Sequence, residues 1–156
     1  MAADVAEYAL AVLKGMTAVT DLVVDGAAGI VETGDSSPKT VVDAQATRRD
    51  TGNPAKVLAI TVQDAGEKAI DAQTTEQYVA IWIFDRERGY SNIRKATKAV
   101  YAALHGKSTP LTSPFTDRTV AVTLELEART GHRIERSLEV DFELMTFKAI
   151  VKLDLG

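Results

Sequence analysis

Two runs of strict apolar–polar alternation constrain the fold more than any other feature of this chain. In residues 119–128, Val120, Val122, Leu124 and Leu126 alternate with Ala121, Thr123, Glu125 and Glu127. In residues 137–145, Leu138, Val140, Phe142 and Leu144 alternate with Glu139, Asp141 and Glu143. Successive side chains of a strand point to opposite faces, so each run predicts a strand with one buried face. If the two runs pair as a hairpin through residues 129–136, their apolar faces stay together only when Glu125, Glu127, Glu139, Asp141 and Glu143 share the other surface. Like charges facing each other across strands repel. A sheet of this kind faces bulk solvent, meets a basic partner, or lines a space that should repel polyanions.

The remaining pattern supplies the partners for that sheet. Residues 4–16 place Val5, Tyr8, Ala9, Val12 and Leu13 at helical spacing, with Asp4 and Glu7 near the positive end and a stop at Gly15. Residues 17–23 predict a second short helix or turn, and Gly26–Gly29 a flexible bend. Residues 32–54 are rich in Gly, Ser, Asp, Arg and Pro and predict a long polar loop, interrupted at most by a short strand at Thr40-Val41-Val42. Residues 56–63 predict a strand ending in a turn at residues 64–68, and residues 76–84 the most β-prone strand. A clear helix follows, capped by Ser91 or Asn92. It has Ile93, Ala96, Thr97, Val100 and Leu104 inward, Arg94, Lys95 and Lys98 outward, and Gly106 beyond its end. The expected fold is α+β: a mainly antiparallel sheet of about four strands with two principal helices packed on one face.

Composition narrows the class of function. The 156 residues suit a single domain, and 46% hydrophobic with 26% charged residues is ordinary for a globular chain. A net charge of −4 argues against a dedicated nucleic-acid binder. There is no cysteine, which removes disulfides, thiolate metal sites and thiol nucleophiles. No run is long enough for a membrane span, and the N-terminus lacks a signal-peptide layout, so folding in a cytosol is expected. The two histidines, His105 and His132, lie far from metal-pair spacing, and Gly26-Ala27-Ala28-Gly29 lacks the elements of a phosphate-cradling loop. His105 is expected to meet the helix C-terminus and His132 to lie in a turn. These readings point to a non-enzymatic protein without cofactor or metal.

The order of elements resembles the tail-terminator, or tail-completion, proteins of long-tailed phages, the lambda-type terminator among them. The residues that carry the resemblance are Asp21-Leu22-Val23, the strand from Gln77 to Phe84, and above all the string from Gly89 through Ala102-Ala103-Leu104-His105-Gly106. Pro110-Leu111 and the final hairpin follow in the family's order. Members often open the first strand with proline-tyrosine-valine, where this chain has Asn53-Pro54-Ala55-Lys56-Val57. The resemblance spans most of the chain and implies a single tail-terminator-like domain over residues 1–156. It implies a ring, a homohexamer, that caps the tail tube, ends its polymerisation and joins it to the head or neck. The partners implied are other copies of the chain, the tail tube protein and a head–neck connector protein. Genomic DNA would pass through the centre without specific binding. The place implied is the head-proximal end of the virion tail, after assembly in the host cytoplasm.

On that reading Glu125, Glu127, Glu139, Asp141 and Glu143 are candidates to face the channel, where carboxylates repel a passing polyanion. The plain alternative is the solvated face of a sheet. A third is pairing with cations of a neighbouring subunit. Candidates for such interfaces are Arg94, Lys95 and Lys98, the cluster Arg129, Arg133 and Arg136, and the loop residues Arg48, Arg49, Asp50 and Asn53. Trp82, the only tryptophan, is read as a core anchor rather than an interface hot spot. A small non-enzymatic adaptor, or a head–neck connector, is the alternative function. A tube protein fits less well, because stacking rings need a more extended sheet.

Overall fold

The computed structural model describes residues 4–32, 55–71, 74–86, 90–112, 119–136 and 139–152. Its elements in chain order begin with helices α1 (Asp4–Gly15) and α2 (Thr17–Thr20), a 3-10 turn at Gly26–Gly29 and strand β1 (Ile30–Glu32). Strands β2 (Ala59–Asp71) and β3 (Thr74–Arg86) follow, then helix α3 (Tyr90–Leu104). The chain continues with strands β4 (Ser108–Thr112), β5 (Thr119–Arg129), β6 (Arg133–Glu135) and β7 (Val140–Lys152). Most of the long polar loop, with Arg48, Arg49, Asp50 and Asn53, lies outside the described residues.

The strand order is β1-β2-β3-β7-β5-β4, with β6 also on β7. The sheet is therefore larger than the four strands expected. It is antiparallel except where β1 runs parallel to β2. The β1–β2 pairing is extended by a parallel bridge from Val23 to Val57. Helices α1 and α3 both pack on the sheet, as the class predicted.

Helix α1 buries Val5, Ala6, Ala9 and Leu13, and α3 buries Ile93, Ala96, Thr97, Val100 and Leu104. These stripes close on Ile60 and Val62 of β2, Val79, Ile81 and Ile83 of β3, Leu124 of β5, and Met145, Phe147 and Ala149 of β7, all at or below 1% exposure. Tyr90 starts α3, so Asn92 is inside the helix and buried rather than a cap. At its end Gly106, at φ +71°, turns the chain and donates its N–H to the Leu124 carbonyl at 2.8 Å. His105 does not reach back to the helix terminus. Its Nδ1 accepts the Leu126 N–H at 3.0 Å and its ring stacks on Tyr101, fastening α3 to β5.

Two local expectations are corrected. The turn-like residues 64–68 lie within β2. Their turn chemistry serves a bulge: the register shifts between Asp64 and Glu67, Gly66 sits at φ +101°, and Asp64 Oδ1 accepts the Gly66 N–H at 2.9 Å. The second correction concerns β7, whose core face is odd-numbered. Met145, Phe147 and Ala149 are buried there, and the same parity carries Asp141 and Glu143, each 1% exposed, under the helical layer. Val140, Phe142 and Leu144 point to the opposite face. Val140 is buried there with Leu58 and Phe84, and Trp82 and Phe142 pack on them half-buried. Trp82 thus anchors this smaller cluster, 6.1 Å from the Phe84 ring and 5.6 Å from Phe142, rather than the main core.

Phe147 is the largest fully buried side chain. Truncation to Phe147→Ala leaves a cavity in the main core between sheet and helices and should cost about 3–5 kcal/mol in urea unfolding, with the m-value unchanged.

Candidate functional site

The five carboxylates expected on one surface are divided between the two faces of the sheet. Glu125 pairs across β5–β7 with Lys148 on the face away from the helices. Asp141 and Glu143 lie on the helix face and are closed to solvent, so they cannot line a channel. Glu139 is exposed at the entry to β7, with φ +55°, an unusual backbone conformation for a side chain of its type.

The register explains how two carboxylates are tolerated beneath a helix. Between Leu126 and Ala128 strand β5 bulges, with Glu127 as the extra residue, and Arg129 then pairs with Met145. The bulge moves Arg129 to the parity of the helix face. Its guanidinium clasps Glu143 through Nε–Oε2 at 2.9 Å and Nη2–Oε1 at 3.0 Å, a two-pronged, charge-assisted contact. That hydrogen bonding to Glu143 raises the Arg129 pKa further. Arg129, expected at a subunit interface, thus has an intrachain partner.

Asp85 and Asp141 stand directly opposite each other in the β3–β7 ladder, both at or below 1% exposure. Asp85 accepts Asn92 Nδ2 at 2.9 Å, the Arg86 N–H at 2.8 Å and Arg86 Nη1 at 3.1 Å. His132, in the turn after Gly131, brings Nε2 to 3.1 Å from Asp141 Oδ2. The distance is that of an ion pair, yet neither Asp141 oxygen has an aligned hydrogen-bond donor. Tyr90 lies against the His132 ring at 4.3 Å, and the Arg94 guanidinium sits 4.6 Å over the Tyr90 ring. Among the described residues no group of three or more His, Asp or Glu is placed to hold a metal ion.

On the opposite face a second polar patch forms around Glu125 and Glu127. Lys148 Nζ reaches Glu127 at 3.9 Å, and Tyr78, the cross-strand partner of Lys148, donates its hydroxyl to Glu76 Oε2 at 2.5 Å. Glu76 was not among the expected residues, because only the strand order sets it across β7 from Glu125. Ile150, opposite Glu76 in the ladder, is 49% exposed. Arg94, Lys95 and Lys98 line the outer side of α3 as expected, and Arg133 and Arg136 are exposed. Beneath Lys98 and Tyr101 a cavity of about 250 Å³ is lined by Thr97, Leu126, Arg129 and Met145.

No protein-family model and no curated protein matches this chain. Among solved structures, a chain in the virion of a native gene transfer agent particle has the same fold. Its TM-score is 0.59 at 18% identity, over 92% of this chain and 91% of that chain.

Two titrations test this geometry. Burial is the main cause of the raised Asp85 pKa, so folding favours its neutral form. The stability Asp85 contributes is fully present below its ordinary value of 3.8 and is lost as pH rises through the elevated folded value. Unfolding measured against pH should therefore show wild type losing ground to Asp85→Asn as pH is raised from 3.8. The hydrogen bond to Glu76 is the main cause of a Tyr78 pKa pushed up to about 12. Its contribution is complete below 10 and is lost as pH rises through about 12. In an ultraviolet titration, Glu76→Gln should return one phenol ionisation to the ordinary range.

Proposed function

We propose that this chain is a structural protein of a phage-like virion, and more specifically a tail-terminator subunit. Copies assemble into a ring that caps the tail tube, ends its polymerisation and joins it to the head or neck. The observation that carries the reading is the fold shared, over nine-tenths of both chains, with a component of a gene transfer agent virion. The family resemblance in the Gly89-to-Gly106 string and the order of elements support the finer assignment. Six copies are the expected number, with the tube protein and a head–neck connector as partners.

The described surface suits such a role. Helix α3 carries Arg94, Lys95 and Lys98 and no acidic residue, while the far side of the sheet carries Glu76, Glu125 and Glu127. Opposite signs on different faces of one chain favour head-to-tail contacts, which generate rings when the rotation closes. Within the ring the exposed carboxylates Glu125, Glu127 and Glu139 serve either a neighbouring subunit or the channel wall, where they would keep DNA phosphates from binding.

The test is negative-stain microscopy with mass photometry of the purified protein, alone and mixed with tail tubes from the same genome. Open-centred rings, or caps at one end of each tube, are expected. Compact monomers that leave tube ends bare would overturn the reading in favour of an adaptor.

A further inference from the structure

We propose that neighbouring subunits join by inserting Ile150 of one copy into the cavity beneath Lys98 and Tyr101 of the next. This contact rests on the ring reading above and specifies how the ring is held together.

The knob lies on the open sheet face, away from the helices. Ile150 is 49% exposed near the end of β7 and projects from the open face. Glu76 stands directly opposite it on β3. Glu125 faces Lys148, one same-face position along β7, and Glu125 makes no ion pair among the described residues. Ile70, also 49% exposed, lies at the same end, where β2 pairs with the start of β3. The knob is therefore aliphatic, with Glu76 opposite it, Lys148 beside it on β7 and the unpaired Glu125 beyond.

The hole lies on the helix side of the same sheet. Its volume of about 250 Å³ is lined by Leu126, Met145, Thr97 and Tyr101, with Lys98 as its unpaired cation among the described residues and Arg129 already held by Glu143. A cavity of about 150 Å³ is enough for a benzene ring, so an isoleucine side chain fits. Tyr101 is 42% exposed, and the Thr97 Oγ1 inside is without a partner. Lys98 and Lys95 make no ion pair among the described residues, and α3 holds no acidic residue to neutralise them.

Shape and charge match between hole and knob: an apolar cavity with the unpaired Lys98 at its rim against an isoleucine that has Glu76 and Glu125 nearby. The two lie on opposite faces of one sheet, so they cannot meet within one chain. A second copy satisfies both at once. Each subunit offers both a knob and a hole, which makes the contact head-to-tail. DNA would suit the lysines of α3 but not the apolar floor, and it would leave Ile150 and Glu125 unused.

The absence of cysteine makes a direct test available. Tyr101→Cys and Ile150→Cys are introduced together and singly, and the proteins are oxidised under the conditions in which wild type assembles. The double variant should give a ladder of covalent multimers ending in the ring, and each single variant at most dimers. In parallel, Ile150→Glu should weaken self-association roughly tenfold or more by mass photometry, with circular dichroism and thermal unfolding unchanged. Lys98→Glu should weaken it as well, and combining it with Glu125→Lys should restore it.

Rings that form normally with Ile150→Glu and give no ladder in the double variant would overturn this interface while leaving the terminator function standing. A wild-type protein that forms no ring, with or without tubes, would overturn both. Rings of normal size that no longer cap tubes when they carry Ile150→Glu would assign the knob to the tube and overturn the subunit contact.

Discussion

The pairing of β3 with β7 is the constraint on which the rest of the structure depends. It runs without a break from Thr74 opposite Lys152 to Arg86 opposite Val140, so the parity of every residue on both strands is fixed together. Because Val79, Ile81 and Ile83 face the helices, Met145, Phe147 and Ala149 must do so too. Asp85, Asp141 and Glu143 are carried to the same side whether or not that side suits a carboxylate. A one-residue slip would expose Phe147 and bury Lys148, which costs far more than finding partners for three acids.

Those partners come from irregular places. The Glu127 bulge turns Arg129 inward, the turn at Gly131 brings His132 over Asp141, and the first turn of α3 sets Asn92 on Asp85. Each device is local, yet together they allow a polar cluster at one end of a sheet whose other end is apolar. A buried carboxylate that loses its partner is strongly destabilising. The bulge and the turn are thereby as much part of the core as Phe147.

The functional reading follows from what this arrangement leaves outside. With Asp141 and Glu143 withdrawn, the acidic character of the far face falls to Glu76, Glu125 and Glu127, partly offset by Lys148 and bordered by Ile150. Helix α3 presents a ridge of basic residues without acidic ones, over an apolar cavity. These are the surfaces that the proposed assembly would use.

The sequence by itself determined both principal helices, with nearly every buried position, the strand at β3, and the α+β class. Period and composition suffice there, because each helix buries one continuous stripe against the sheet and β3 is apolar on both of its faces. Only the tertiary structure decided the fate of the acidic residues. In β7 two apolar alternations run out of phase, Val140, Phe142 and Leu144 followed by Met145, Phe147, Ala149 and Val151. A strand read alone gives no reason to prefer one parity. The second set, longer and continuing to the strand's end, was the available signal. Its weight became clear only once β3 and the helices covered that face. Likewise, the turn chemistry around Gly66 looks the same in sequence whether it ends a strand or bulges one. Pairing with β3 on both sides made it a bulge. Alternation specifies that a strand has two different faces. Which face is the inside depends on what packs against it, and that is a property of the whole fold.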